Sequence, residues 1–399
     1  MISYHTSPLA ALGGKHSGGM NVYVRELGAQ LAKRGHQVDV FTRGNEFEEQ
    51  QIGNGARLIS LRAGLRKEIE KSKLAAYIPE FMEQVINFAN REKYDLIHAH
   101  YWMSGLVGLD LKAKWGVPMV MMFHTLGLVK NRITVLGELE SDERIRGERR
   151  VLADADFVVA ATPAERADLQ WLYELPSAKA KVIPPGVDLE QFHPMEKAKA
   201  KAELGLPLDE RQILFVGRIE ALKGIDTLIR AAHLLAKSSA IPFRVQVIGG
   251  DVEESLEQLG SEMSRLQTLV KSHGLQTRVR FLGSRRQREL PTYYAASDVV
   301  VMPSYSESFG MVALEAMACG RPVIASRVGG LAYLVQDGLT GFHVQEGNPE
   351  EMAERLMSLF SDKPTLEQMG MAARSEAEKY SWEGTAIQIE NLYRHLVNR

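Results

Sequence analysis

The sequence predicts an α/β protein built from two doubly wound domains that face a cleft. Three observations lead there. Short β-rich runs alternate with helical stretches along nearly the whole chain, as in parallel sheets covered on both faces. The strands fall into two series separated by a proline-broken stretch. A length of 399 residues, at about 150 residues per domain, leaves room for two or three domains.

The first series is "QVDVFT" (37–42), "YDLIHAHY" (94–101), "VPMVMMFH" (117–124) and "DFVVAAT" (156–162), following a short N-terminal strand. Helices are expected around Val22–Lys33, Phe81–Asn90 and Arg146–Ala155. The paired prolines of "KVIPPGVDLEQFHP" (181–194) break regular structure and suit an interdomain hinge. The charged run "MEKAKAKAELG" then opens the second domain. Its strands read as "QILFVG" (212–217), "FRVQVIGG" (243–250), "VRFLG" (279–283), "DVVVMPS" (298–304), "RPVIAS" (321–326) and "GFHV" (341–344). The closing segment "SWEGTAIQIENLYRHLVNR" is helical and long enough to cross back to the first domain. The expected division is 1–187, 188–380 and a returning helix at 381–399.

Composition is that of a soluble globular chain, 45% hydrophobic and 25% charged. A net charge of -2 argues against a general nucleic-acid binder, which needs clustered Lys and Arg. Cys319 is the single cysteine, so no internal disulfide forms and the cytoplasm is the expected compartment. Within an apolar run it reads as a small core side chain. No signal peptide or membrane span is read, and "LRAGLRKEIEKSKL" mixes both signs as a solvated face does.

In doubly wound sheets ligands sit outside the carboxyl ends of strands, and between two domains the crevice is deepest. On the first wall, "GGKHSGGMNVYV" (13–24) is a glycine-rich turn ahead of a helix. Gly18 and Gly19 are expected to take dihedrals closed to other residues and to let a ligand near the backbone. The stretch is neither a dinucleotide fingerprint nor a P-loop, and tight strand-to-helix packing explains it as well. On the second wall, "FVGRIEALKG" (215–224) places Arg218 and Lys223 just past a buried strand, where a diphosphate would lie. Solvated helix-end cations are the plainer account of both.

The stretch "SYSESFGMVALEAMACG" (304–320) is a turn opening an apolar helix. Its first free N–H groups fall near Phe309, Gly310, Met311 and Val312, and with the helix dipole they suit a pyrophosphate. Glu307 before the helix and Glu315 within it can each accept hydrogen bonds from sugar hydroxyls. As a mere cap charge Glu307 would contribute about 0.3–1 kcal/mol. An unpaired Glu315 in an apolar helix would be costly, so it implies partners.

The glycine turn, "GRIEALKG" and "ESFGMVALEA", in this order and with the E-x7-E spacing of Glu307 and Glu315, resemble the retaining glycosyltransferases of family 4, which have the GT-B fold of two Rossmann-like domains. Within it, "HTSPLA…GGMNVYV" and "SYSESFG" resemble the branch that glycosylates inositol phosphate in mycothiol synthesis. The bacterial sucrose-phosphate synthases are similar through "KSKLAAYIPEF" and "VIPPGVD".

The resemblance implies a hexosyl transfer from a nucleoside-diphosphate sugar, of the UDP-glucose or UDP-N-acetylglucosamine type, to a small phosphorylated acceptor such as inositol phosphate or fructose 6-phosphate. The first domain would hold the acceptor and the second the donor. Arg218 and Lys223 would hold the diphosphate, with Gly18 and Gly19 opposite, Glu315 the ribose, Glu307 the transferred sugar and Arg285 the base. His124 would contact the donor sugar from the acceptor side. His5 and Asn21 match polyol-binding positions, and Lys71, Tyr101, Thr125 and Arg144 a phosphate-binding set, with Lys73 as a rival to Lys71. No metal and no cofactor beyond the donor co-substrate is expected, and a homodimer is compatible with the chain. The chain departs from the mycothiol branch at His16, where an acidic residue is usual, and over 43–75, which leaves the acceptor open. Transfer to a lipid-linked or polymer acceptor, and nucleotide-sugar epimerisation on the same fold, are the alternatives.

Overall fold

The computed structural model describes residues 1–10, 18–66, 69–89, 93–133, 139–250 and 261–398. In chain order the first half gives α1 (Gly19–Lys33), β1 (Val38–Gly44), β2 (Glu48–Ile52), β3 (Ala56–Arg62), α2 (Ile78–Ala89), β4 (Ile97–His100) and α3 (Trp102–Trp115). It continues with β5 (Met119–Met122), α4 (Gly127–Lys130), α5 (Asp142–Asp154), β6 (Phe157–Ala160), α6 (Pro163–Tyr173) and β7 (Ala180–Val182). Ile2 pairs in parallel with both Phe41 and Ala99 and so joins β1 to β4. The result is one sheet of order β2-β3-β1-Ile2-β4-β5-β6-β7.

The second half gives α7 (Lys197–Glu203), β8 (Arg211–Val216), α8 (Ile225–Ser238), β9 (Phe243–Ile248), α9 (Ser261–Ser272), β10 (Val279–Gly283), α10 (Leu290–Ala296), β11 (Val299–Met302) and α11 (Met311–Ala318). After these come β12 (Val323–Ser326), α12 (Gly329–Leu334), β13 (Gly341–Val344), α13 (Pro349–Ser361), α14 (Lys363–Ala377) and α15 (Trp382–Val397). Its sheet is wholly parallel, in the order β10-β9-β8-β11-β12-β13. Both halves are doubly wound α/β sheets, as expected.

Alternation along the strands explains the layering. Val299 and Val301 enter one buried cluster while Val300 and Met302 enter the other, so both faces of β11 are covered. Helix α8 buries Ile225, Leu228, Ile229, Ala232 and Leu235, a stripe at helical spacing. Helix α6 starts on a capping pair: Thr162 accepts from the Glu165 N–H and Glu165 accepts from the Ala161 N–H. Cys319 is fully buried, and burial pushes its thiol up to about 12, the behaviour of a core residue.

Two features differ from the expectation. The first is the antiparallel pair β2–β3, in which β3 is apolar and buried but β2 carries no apolar pattern. Strand β2 is antiparallel to β3 and mostly exposed, with the sequence "EEQQI". The Gly53-Asn54-Gly55 turn between them is the signal that marks the hairpin. The second difference lies at 181–194, whose first two residues complete β7, so regular structure ends after Val182. Beyond it the chain crosses at Pro184–Pro185, and it returns at Tyr380–Trp382. The two passes meet: Val187 pairs with Ser381 and donates its N–H to the Tyr380 carbonyl at 2.9 Å.

Helix α15 lies on the first domain. Arg34 Nε bonds Glu390 at 2.6 Å, Tyr393 Oη sits 2.6 Å from His98 Nδ1, and the Trp382 ring packs 5.7 Å from that of Tyr23. No helix among the described residues is long and apolar enough to cross a membrane.

Candidate active site

The carboxyl ends of the two sheets face each other across a cavity of about 300 Å³. Its walls carry the residues just past β4, β5, β6, β8, β9 and β10, which are Tyr101, His124, Ala161, Gly217, Gly249 and Ser284. Residues far apart in sequence meet there because parallel strands all end on one side.

The second-domain wall carries charge. Lys223 Nζ lies 2.5 Å from Glu307 Oε2, both side chains less than one-fifth exposed. Arg218 stands nearer the rim, 41% exposed, and pairs with Glu220 at 2.5 Å. Between β11 and α11 the loop brings Phe309 and Gly310 to the cavity and the helix begins at Met311. Gly310 holds φ +104°, and a Cβ there would meet the Leu331 side chain at 2.8 Å. Glycine is therefore required by both dihedral and space. The first N–H groups of α11, at Met311 and Val312, have no intrahelical acceptor and face the cavity. The backbone of Glu307 is pinned by the Gly330 N–H, which donates to its carbonyl at 2.8 Å.

Glu315 is buried on the inner face of α11. Tyr294 Oη donates to it at 2.8 Å and Gln287 Nε2 at 3.1 Å. Burial raises its carboxyl to about 7 against the pull of those two bonds. Gln287 is itself oriented by Arg25 of the first domain, which donates to its side-chain Oε1 at 2.6 Å. Arg285 also lines the cavity, its Nε on Tyr293 Oη at 3.0 Å.

On the first-domain wall, residues 13–17 of the glycine turn, with His16, lie outside the described residues. Gly18 and Gly19 depart from the expectation. Gly18 is extended, with φ -174°, and Gly19 is the first helical residue, so neither occupies a region closed to other residues. Glycine matters here for space: a Cβ on Gly19 would lie 3.3 Å from Met311 of the opposite domain. Asn21 lines the cavity, but its amide ties the turn together. Its Oδ1 accepts from the Gly18 N–H, and its Nδ2 donates to Thr6 Oγ1 and the Ser7 carbonyl.

His5, Lys71, Tyr101, His124 and Thr125 all line the cavity. The His5 ring packs 4.4 Å from that of Tyr101, and Lys71 Nζ sits 4.3 Å from the Tyr101 ring centre. Burial first, then repulsion from Arg144, Lys130 and Arg218, lowers the Lys71 amine to about 7. Lys73, its rival, is exposed and pairs with Glu70. Arg144 does not line the cavity. It is 2% exposed and lies behind Tyr101 and Thr125, donating to both Thr125 oxygens at 3.0 Å. Glu140 and Glu148 pair with it at 2.9 and 2.7 Å. The cation expected to converge on a ligand is thus held in the wall, because a buried guanidinium takes the nearest carboxylates.

Residues the motifs did not reveal complete the site. Tyr294 and Gln287 hold Glu315, Tyr23 packs 5.2 Å from His124, and His100 Nδ1 touches His124 Nε2 at 3.1 Å. The "HAH" run of β4 placed His100 on a buried strand end, the one sequence signal available for it.

A cation pair at one strand end, a free helix start and a buried carboxylate line a cleft between two Rossmann-like domains, the GT-B arrangement. A family model described as Glycosyltransferase Family 4 matches residues 17–191, and one described as Glycosyl transferases group 1 matches residues 196–376. The D-inositol 3-phosphate glycosyltransferase of Corynebacterium urealyticum is 40% identical over 99% of this chain and 95% of its own. The sucrose-phosphate synthase of Thermosynechococcus elongatus superposes with a TM-score of 0.92 at 36% identity, covering 99% of this chain and 98% of its own. Anabaena HepE, solved with UDP and glucose, shares the fold at a TM-score of 0.78 and 22% identity, with 99% of both chains covered. The chain belongs to the family 4 glycosyltransferases and is a glycosyltransferase enzyme.

Proposed function

We propose that the protein transfers a hexosyl unit from UDP-glucose or UDP-N-acetylglucosamine to a hydroxyl of a small phosphorylated acceptor, with retention at the anomeric carbon. The observation that carries this reading is the pairing of two differently built walls. One presents Arg218, Lys223 and the start of α11 to a diphosphate. The other brings Lys71, Tyr101 and Thr125 to the cavity, a cation and two hydroxyls of the kind that bind a monophosphate. The names of two relatives, a D-inositol 3-phosphate glycosyltransferase and a sucrose-phosphate synthase, both carry a small phosphorylated compound and support it.

In the proposed reaction the bond between the anomeric carbon and the diphosphate breaks, and charge builds on the leaving oxygens. Arg218, Lys223 and the α11 N–H groups stand where that charge develops, and preformed donors stabilise it more than the ground state. This set meets the charge without a bound metal. The acceptor oxygen attacks from the face the diphosphate leaves, and its proton passes to the departing phosphate oxygen. Lys223 and Glu307 position each other: a ligand that draws Lys223 toward phosphate frees Glu307 for sugar hydroxyls.

The test is a matrix of donors against inositol phosphate, fructose 6-phosphate and their unphosphorylated forms, with and without a chelator. Transfer to a phosphorylated acceptor, lost when its phosphate is removed, is expected. Equal rates on both forms would refute the phosphate-binding set. Rearranged donor in the absence of acceptor would replace transfer with epimerisation.

A further inference from the structure

Behind His124 runs a row of buried imidazoles that the proposed reaction does not use. His98 and His100 share one face of β4, with ring centres 4.2 Å apart, and both are at most 1% exposed. His98 Nδ1 meets Tyr393 of the returning helix at 2.6 Å, and His100 Nδ1 meets His124 Nε2 at 3.1 Å. His124 itself holds φ +61°, a backbone state that a non-glycine residue keeps only where its surroundings fix it.

Burial drives all three rings toward the neutral form, so each carries one proton. The contact between His100 and His124 needs one proton between two nitrogens, and there are two ways to supply it. If His124 donates from Nε2, His100 must carry its own proton on Nε2. That nitrogen is buried and has no partner among the described residues, so a donor would be orphaned. If His100 donates from Nδ1, its Nε2 is a bare lone pair, and an unpaired acceptor is tolerated better than an unpaired N–H. His124 then carries its proton on Nδ1, the ring nitrogen left for the cleft.

The geometry points to His100 as a positioning residue that fixes His124 in the Nδ1–H tautomer, so that His124 offers the cleft a hydrogen-bond donor and not a base. Its partner would be an oxygen of the transferred sugar or of the departing phosphate. That consequence rests on the transfer reaction proposed above, whereas the tautomer does not.

Nitrogen NMR on the full chain labelled at histidine tests the tautomer without any substrate, with signals assigned by single substitution. A protonated Nδ1 and bare Nε2 on His124 are expected, and the reverse would overturn the proposal. A second arm compares His100→Asn, whose side-chain amide can donate from the Nδ1 position, with His100→Phe, which cannot. His100→Phe should lower sugar transfer about tenfold or more, the loss of one aligned hydrogen bond, with UDP affinity unchanged. His100→Asn should restore most of it. Equal loss in both variants, with UDP affinity intact, would make His100 a packing residue and sink the role. A protein that transfers to no acceptor would fail the proposed function, while the NMR spectrum would still decide the tautomer.

Discussion

Glu315→Gln sets stability against function at one atom. The carboxyl is 5% exposed and burial lifts it from 4.5 to about 7. An acid whose native value is raised binds its proton more tightly folded than unfolded. Stability is therefore full below the unfolded value of 4.5, falls as pH rises toward about 7, and levels off above it. At about 1.4 kcal/mol per tenfold, holding the ionised group in the fold costs about 3 kcal/mol at pH 8. The amide removes that cost. It accepts from only one of Tyr294 and Gln287 on its single oxygen, so about 1 kcal/mol is given back. Glu315→Gln should be more stable than the wild type at pH 8 by about 2 kcal/mol. Near pH 4.5, where the ionisation cost is gone and only the lost bond remains, the sign should reverse and the wild type should be the more stable by about 1 kcal/mol. UDP should bind it some tenfold to a hundredfold more weakly, since a hydrogen bond to a charged acceptor contributes about 1.5–3 kcal/mol. Denaturant unfolding from pH 4.5 to 8.5 and calorimetric titration with UDP read both effects. Parallel stability–pH curves for the two proteins would refute the burial argument, and unchanged UDP affinity would refute the ribose seat.

Lys223→Met removes the cation nearest Glu307 and should lower turnover by about 10²–10³, chiefly in kcat, in steady-state transfer assays. Raising the pH through about 7 discharges Lys71, so KM for a phosphorylated acceptor should climb between pH 7 and 9. Lys71→Met should flatten that rise, and an unphosphorylated acceptor should not show it. Arg144→Ala leaves Glu148 buried without its partner and should cost about 3–5 kcal/mol of stability; the double change with Glu148→Gln should recover part of this in thermal unfolding. At the domain crossing, a Cβ on Gly186 would sit 2.2 Å from the Trp382 backbone nitrogen. Gly186→Ala should force the two passes apart and destabilise the protein by at least about 2 kcal/mol, again seen in unfolding.

Local chemistry wrote much of this protein into its sequence. Buried strands such as "VPMVMMFH" and "VVVMPS" stand out because parallel strands covered on both faces are apolar throughout. Gly310 and the helix beyond it were legible because a left-handed cap and a free helix start leave their mark within a few residues. The pair Lys223 and Glu307, 84 positions apart, was legible only as two motifs, and the ion pair itself belongs to the fold.

Tertiary structure alone decided the rest. Whether Arg144 faces a ligand or two carboxylates depends on Glu148 lying one turn away inside a packed wall. Whether glycine at 18 and 19 serves dihedral freedom or clearance depends on Met311 arriving from the other domain. The partners of Glu315 and the hold of His100 on His124 follow the same rule. A side chain's protonation and reach are set by neighbours that share no sequence proximity with it, and burial, which gives those neighbours their strength, exists only once the chain has closed around them.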